Sequence, residues 1–159
     1  RIISKECAMM LAAQLSDEFI VGEVVALMSE SEFHSNYSAA DINRLIVPAV
    51  YHDRARCYFD DETEELVGFL TWTFLTPEAE SGYIDGTRTL QPMDWTTAPE
   101  EGQLWIIDMV APFGGVREMV RSTGKWFNYH YKAHRQKAFF KRGLKNNRIG
   151  HITSSVTIH

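Results

Sequence analysis

The chain has 159 residues, 45% hydrophobic and 12% aromatic, enough to bury one core of ordinary size. No run approaches the roughly 18 apolar residues of a membrane span, and the two isolated cysteines, Cys7 and Cys57, exclude a disulfide framework or a cysteine-built zinc site and fit a reducing, cytoplasmic setting. The net charge of −5 conceals an asymmetry: residues 1–111 carry 6 Lys and Arg against 20 Asp and Glu, whereas residues 112–150 carry 10 against a single acid, Glu118.

In chain order, Ile3 to Leu15 is rich in Ala, Met and Leu and reads as a helix. The start has no compact positive region, and Asp17 and Glu18 follow at once, so it is not read as a secretory signal. The chain opens on Arg1 rather than Met, and an initial segment is expected to precede it. Phe19 to Met28 is a second apolar segment, helical or buried. SESEFHSNY, Ser29 to Tyr37, is a polar break, after which Ser38 and Asp41 suggest a capped helix that Pro48 bends or ends. Arg56 to Phe59 and Leu66 to Leu75 read as a hairpin around the acidic turn DDETEE, and Thr76-Pro77 as the opening of a short helix. Ser81 to Gly102 reads as irregular, and connections that long are usually functional. Leu104 to Ala111 is a central strand, Pro112 to Gly115 a turn and Val116 to Tyr131 a helix. Lys137 to Arg142 and Ile149 to Ile158 close the pattern as strands around LKNNR. The order predicts one domain over residues 1–159, an α/β layer fold with a mixed sheet.

The strand LWIIDMVA carries a carboxylate, Asp108, at its centre. If alternation holds, Ile106, Asp108 and Val110 share one face. A buried acid needs a donor. His34, in the polar break beside Ser31, Ser35 and Asn36, is one candidate; a backbone N–H or a Trp donor is the other. A His–Asp pair has clear chemistry. The carboxylate orients the imidazole and stabilises its cation, and the ring takes a proton from an incoming amine.

Two further features leave alternatives open. Gly114 and Gly115, with Arg117 in the following helical turn, form either a tight strand–helix turn or a cradle for a donor's phosphate. The basic segment, which includes Arg117 and Arg121, either balances the acidic half or meets an anionic partner: an acidic protein, a phosphate-bearing cofactor or nucleic acid. No nucleic-acid module is recognisable, and the overall acidity argues against that last partner. His130 and His134 have i, i+4 spacing but no further ligand nearby, so no metal site is expected.

The chain resembles the RTX toxin-activating lysine acyltransferases, the hemolysin-activator family. WIIDMVAPFG, Trp105 to Gly114, is similar to the family's signature of a tryptophan, an acid and then Ala-Pro-Phe-Gly, with one step shortened. MDW, Met93 to Trp95, matches an acidic-Asp-Trp element. SEFHSNY, Ser31 to Tyr37, looks like the Ser-x-x-His-x-Asn-aromatic segment. IVPAV, Ile46 to Val50, and LVGFLTW, Leu66 to Trp72, fall in order between them. The similarity is loose beyond Gly115, and residues 1–18 look like an N-terminal extension helix.

The resemblance implies a fold like the Gcn5-related N-acyltransferases, with a splayed mixed sheet that admits a thioester. It implies transfer of a fatty acyl group from the phosphopantetheine thioester of acyl carrier protein to the ε-amine of an internal lysine on a target protein, in the cytoplasm, with no tightly bound cofactor. His34 carries over as catalytic base and Asp108 as its partner, with Ser31 and Asn36 in supporting positions. Gly114, Gly115, Arg117 and Arg121 would dock the donor, and an acidic carrier suits the basic segment. Family activators are often homodimers. The chain lacks a longer charged tail, which leaves target recognition undefined. Two other readings stand beside this one: an acyl-CoA-dependent N-acyltransferase acting on a small amine, and a catalytically silent binding or virion-associated domain of the same fold.

Overall fold

The hairpin around the acidic turn lies within a six-stranded sheet with strands in sequence order, β1 to β6. The structure, a computed structural model, describes residues 2–6, 16–131, 137–142 and 148–153. The strands are β1 (Ile2–Glu6), β2 (Ala55–Asp60), β3 (Leu66–Leu75), β4 (Gln103–Val110), β5 (Lys137–Arg142) and β6 (Arg148–Thr153). Neighbours are antiparallel except β4 and β5, which run parallel and pair at Trp105 and Phe139. The α/β class with a mixed sheet is therefore as expected.

Helices cover both faces. On one, α1 (Asp17–Ser29) and α3 (Val47–Tyr51) bury Ile20, Val24, Leu27 and Val50 against Phe69, Trp105 and Val110, joined by Ile46 at the junction with α2 (Ala39–Leu45), whose Ile42 and Leu45 are partly buried. α4 (Pro77–Asp85) packs on the same side through Ala79. On the other, α5 (Val116–Tyr131) lays Met119, Val120 and Phe127 on Tyr58, Leu70, Trp72 and Ile106. Its outer face keeps Arg117, Arg121 and Lys125 exposed, the division expected of an amphipathic helix. Trp72, Trp95 and Trp105 are all fully buried, and truncating such a ring to Ala typically costs about 3–5 kcal/mol. Among the described residues no helix is long and apolar enough to cross a membrane.

Local signals explain the helix boundaries. Ser16 Oγ accepts from the Phe19 N–H at 3.1 Å. Ser38 and Asp41 form a reciprocal capping box at the start of α2. Thr76 caps α4, Pro77 occupies its first turn, and Gly86 ends it at φ 78°, a left-handed conformation that costs glycine little.

Four expectations need correction. Residues 2–6 pair with β2 as a strand rather than opening a helix; residues 7–15 of the expected helix and extension lie outside the described residues, and Ser16 to Glu18 cap and open α1. Of the two outcomes expected at Pro48, the bend is present and the end is not: the helical run breaks at Ile46, and Pro48 sits in the first turn of α3, where its missing N–H has no partner to lose. The 81–102 connection is less irregular than read: α4 runs to Asp85, and 3-10 turns form at Pro92–Thr96 and Pro99–Glu101.

The fourth correction shapes the site. β3 and β4 pair Leu70 with Met109 but Trp72 with Ile106, so Thr71 alone stands opposite both Ile107 and Asp108. That is a β-bulge on β4, and it breaks the alternation. Ile106 joins the α5 side and Val110 the α1 side, so the two do not share a face with each other. The bulge turns Asp108 toward the cleft beside α1, and the Asp108 N–H donates to Thr71 Oγ1 at 3.1 Å.

Candidate active site

The segment after α1 is a string of turns tied by its own backbone. The Ser31 N–H donates to the Met28 carbonyl at 3.0 Å, Ser35 N–H to Ser31 at 2.9 Å and Tyr37 N–H to His34 at 3.1 Å. The result is a 3-10 turn, His34–Asn36, wedged between α1 and the capped start of α2. Phe33 stands edge-on to the imidazole at 4.9 Å. His34 is held inward, 7% exposed, and Asp108, 4% exposed, meets it from the bulge.

His34 Nε2 lies 3.2 Å from Asp108 Oδ1, and Nδ1 lies 2.8 Å from Ser31 Oγ. An ionised carboxylate only accepts, so Nε2 carries the hydrogen and Nδ1 is the acceptor. Ser31 Oγ accepts the His34 backbone N–H at 3.3 Å, which leaves its hydroxyl hydrogen to donate to Nδ1. A third side chain joins them. The Tyr37 hydroxyl donates to the same Asp108 Oδ1 at 2.5 Å. No Lys or Arg pairs with Asp108 among the described residues, and its Oδ2 has no hydrogen-bond partner there. Burial, then the charge of Asp108, pushes the phenols of Tyr37 and Tyr83 well above the ordinary tyrosine range.

These groups line a cavity of about 890 Å³. Among the described residues Asp108 is its one acidic wall residue, and Arg44, Arg88 and Lys141 also line it. Each of these cations is held elsewhere. Arg44 donates to Asp41 at 2.9 Å, and Arg88 forks onto Asp94 at 2.7 and 3.0 Å. Lys141 Nζ donates to the Tyr83 carbonyl and sits 4.0 Å from the centre of that ring, and burial lowers its pKa. Asp94 also accepts the Gln91 N–H at 2.6 Å, and Trp95 Nε1 donates to the Arg44 carbonyl at 3.1 Å. The MDW motif thus fastens the far wall of the cavity rather than entering it.

The structure brings His34, Asp108 and Ser31 together. Asn36 is not among the cavity residues. Its side chain donates to the Glu32 carbonyl at 2.8 Å and the Phe33 carbonyl at 3.4 Å, and so secures the turn from outside. Gly114, Gly115, Arg117 and Arg121 are exposed and outside the cavity wall, although Ala111 and Val116, on either side of the glycines, belong to it. Gly114 and Gly115 have φ of 92° and 85°, which only glycine adopts cheaply, and a Cβ on Gly115 would also strike Ile2. Of the basic segment, Lys132, Arg135 and Lys145 lie outside the described residues, as do His134, Gly143 and residues 144–147 of the LKNNR turn. No group of three metal-ligating side chains occurs among the described residues. The sequence reading singled out no role for Arg88, took Tyr37 only as the aromatic that closes the SEFHSNY segment and took Lys141 only as part of the basic segment. Tyr37 was open to discovery, since it follows the histidine by three residues at a turn; Arg88 and Lys141 reach the cavity only through tertiary packing.

The sequence profile of the RTX toxin acyltransferase family matches residues 13–153. The chain belongs to this family of acyltransferases. It is 30% identical over 118 residues to the lysine-acyltransferase RtxC of Vibrio cholerae serotype O1, covering 74% of this chain and 73% of that one. The RTX-II toxin-activating lysine-acyltransferase ApxIIC of Actinobacillus pleuropneumoniae is 28% identical over 116 residues, 72% of this chain and 69% of its own. A leukotoxin-activating lysine-acyltransferase, LktC, of a Pasteurella haemolytica-like species is 26% identical over 110 residues, 69% of this chain and 64% of its own.

Proposed function

We propose that this acyltransferase moves a fatty acyl group from the phosphopantetheine thioester of an acyl carrier protein to the ε-amine of an internal lysine on a target protein. The observation that carries the reading is the buried His34–Asp108 contact of 3.2 Å on the wall of an 890 Å³ cavity. A catalytically silent domain would have no need to keep that pair in contact. The family relatives, toxin-activating lysine acyltransferases by name, support lysine as acceptor. The parallel β4–β5 pairing at Trp105 and Phe139 supports a splayed, Gcn5-related sheet that admits the donor arm between those strands.

The chemistry follows from the hydrogen-bond order. The amine attacks the thioester carbonyl; an N–C bond forms and the C–S bond breaks. The amine proton passes to the Ser31 hydroxyl as that hydroxyl gives its own proton to His34 Nδ1. Asp108 stabilises the imidazolium through Nε2. His34 then returns the proton to the leaving thiolate, and base catalysis of this kind is worth roughly 10²–10⁴ in rate. Arg117 and Arg121 on the exposed face of α5, beside the Gly114–Gly115 turn, steer an acidic carrier to the cavity mouth. The reading places the protein in the cytoplasm, alone or as a homodimer.

A second reading has one observation in its favour. The Gly114–Gly115 turn precedes the start of α5, and nothing lies within 4 Å of a Cβ built on Gly114, so acyl-CoA could rest its pyrophosphate there. Mixing the protein and a lysine-bearing target with acyl-carrier thioester or with acyl-CoA separates the two. Thioester loss and one added acyl mass on the target are expected with the carrier; the same result with acyl-CoA and a small amine alone would favour the second reading.

A further inference from the structure

We infer that Tyr37 is a positioning residue for this site: its phenol fixes the Asp108 carboxylate that holds the His34 imidazole, and weakens that carboxylate's pull on the imidazole proton. The inference rests on His34 acting as the base.

Three observations converge on it. The Tyr37 hydroxyl and His34 Nε2 meet the same oxygen, Asp108 Oδ1, at 2.5 and 3.2 Å, so the phenol is the nearer donor. A charge-assisted bond to a carboxylate is about twice as strong as a neutral one, and it stabilises the ionised acid without adding charge. Secondly, Tyr37 is fixed along its length. Its N–H is tied to the His34 carbonyl at 3.1 Å, Ser38 after it caps α2, and its ring stands edge-on to Phe33 at 5.6 Å. Thirdly, among the described residues no cation shares the task. Of the charged and titratable groups facing the cavity, Arg44 is committed to Asp41, Arg88 to Asp94 and Lys141 to the Tyr83 carbonyl. Tyr83 senses the charge of Asp108 but shows no hydrogen bond to it. Burial, the Asp108 charge and the hydrogen bond itself keep the Tyr37 phenol protonated, so it donates throughout the working pH range.

The consequence has a definite sign. Without the phenol, the carboxylate turns its full basicity on the imidazole, the imidazolium is favoured, and His34 must be freed of its proton at a higher pH before it can act as base. Tyr37→Phe keeps the ring and removes only the donor. Its acid limb of the pH–rate profile should move up by about one pH unit, so that kcat measured well below the limb falls about tenfold while KM stays within about twofold. A far-downfield hydroxyl proton resonance present in the wild type should vanish. Replacing Tyr37 with 3,5-difluorotyrosine, a stronger donor with the same ring, should move the limb the opposite way. A limb that stays in place in both variants overturns the inference and leaves Tyr37 as packing. Should the wild type transfer no acyl group while the downfield proton still depends on Tyr37, the acyl-transfer reading falls and the Tyr37–Asp108 contact stands.

Discussion

Two aspartates lie almost wholly inside this protein, Asp94 at 3% exposure and Asp108 at 4%, and they are treated in opposite ways. Asp94 faces a full fork from Arg88 and a backbone N–H from Gln91. Its charge is cancelled, and its work is to brace the loop that walls the cavity. Asp108 has a phenol and an imidazole on one oxygen and no described cation. Its charge is left uncancelled beside a cavity. A buried carboxylate that fastens a loop is matched with a guanidinium; one that is to meet a developing cation is left with neutral donors.

The sharpest break in that comparison is functional. His34→Ala and Asp108→Asn should each lower acyl transfer by about 10³-fold with the fold retained, measured as thioester consumption on a steady supply of carrier and target. The next is thermodynamic. Asp94→Asn strips Arg88 of its charged partner and should cost about 3 kcal/mol in a urea melt. Asp108→Asn should cost far less, since it removes an uncancelled buried charge. Equal losses in the two melts would erase the distinction between the acids.

That distinction was only partly open to sequence. The acid in LWIIDMVAPFGG and the histidine in SEFHSNY stood out because each is a polar residue where its neighbours make it costly or conspicuous. Their meeting needed the bulge opposite Thr71, and a bulge leaves no mark in a period-two pattern. Asp94 was legible as part of MDW, but its partner Arg88 sits in a stretch that reads as loop. The capped starts of α2 and α4 and the β2–β3 hairpin came through; the ends of both helices, at Leu45 and Asp85, did not. β1 did not, because the Ala- and Met-rich run after it masks five residues that are held by pairing with β2.

Smaller effects refine the picture. Ser31→Ala should slow transfer only about tenfold, because water can take the place of the hydroxyl between amine and imidazole. A complete loss, with an acyl group found on Ser31 in the wild type, would replace the relay with a covalent intermediate. Arg121→Glu should raise the KM for an acidic carrier about threefold at low salt, and the difference should fade by about 0.5 M salt as screening sets in. The smallest effect is acid sensitivity. Asp41, Asp60 and Asp85 lie below the ordinary carboxylate range because backbone N–H groups and neighbouring hydroxyls bond their charged forms. A lowered folded-state value means stability that is present above about pH 4 and is lost as pH falls further, so melting should drop gradually in that window.

The central claim is that an imidazole held by Asp108 strips a proton from a lysine amine so that a thioester becomes an amide. The most direct measurement is the intact mass and site mapping of a target protein after incubation with acyl-carrier thioester and either wild type or His34→Ala. The account predicts one fatty acyl group in amide linkage to a lysine with wild type and none with the variant at equal folded concentration. An equally acylated target with the variant would contradict it.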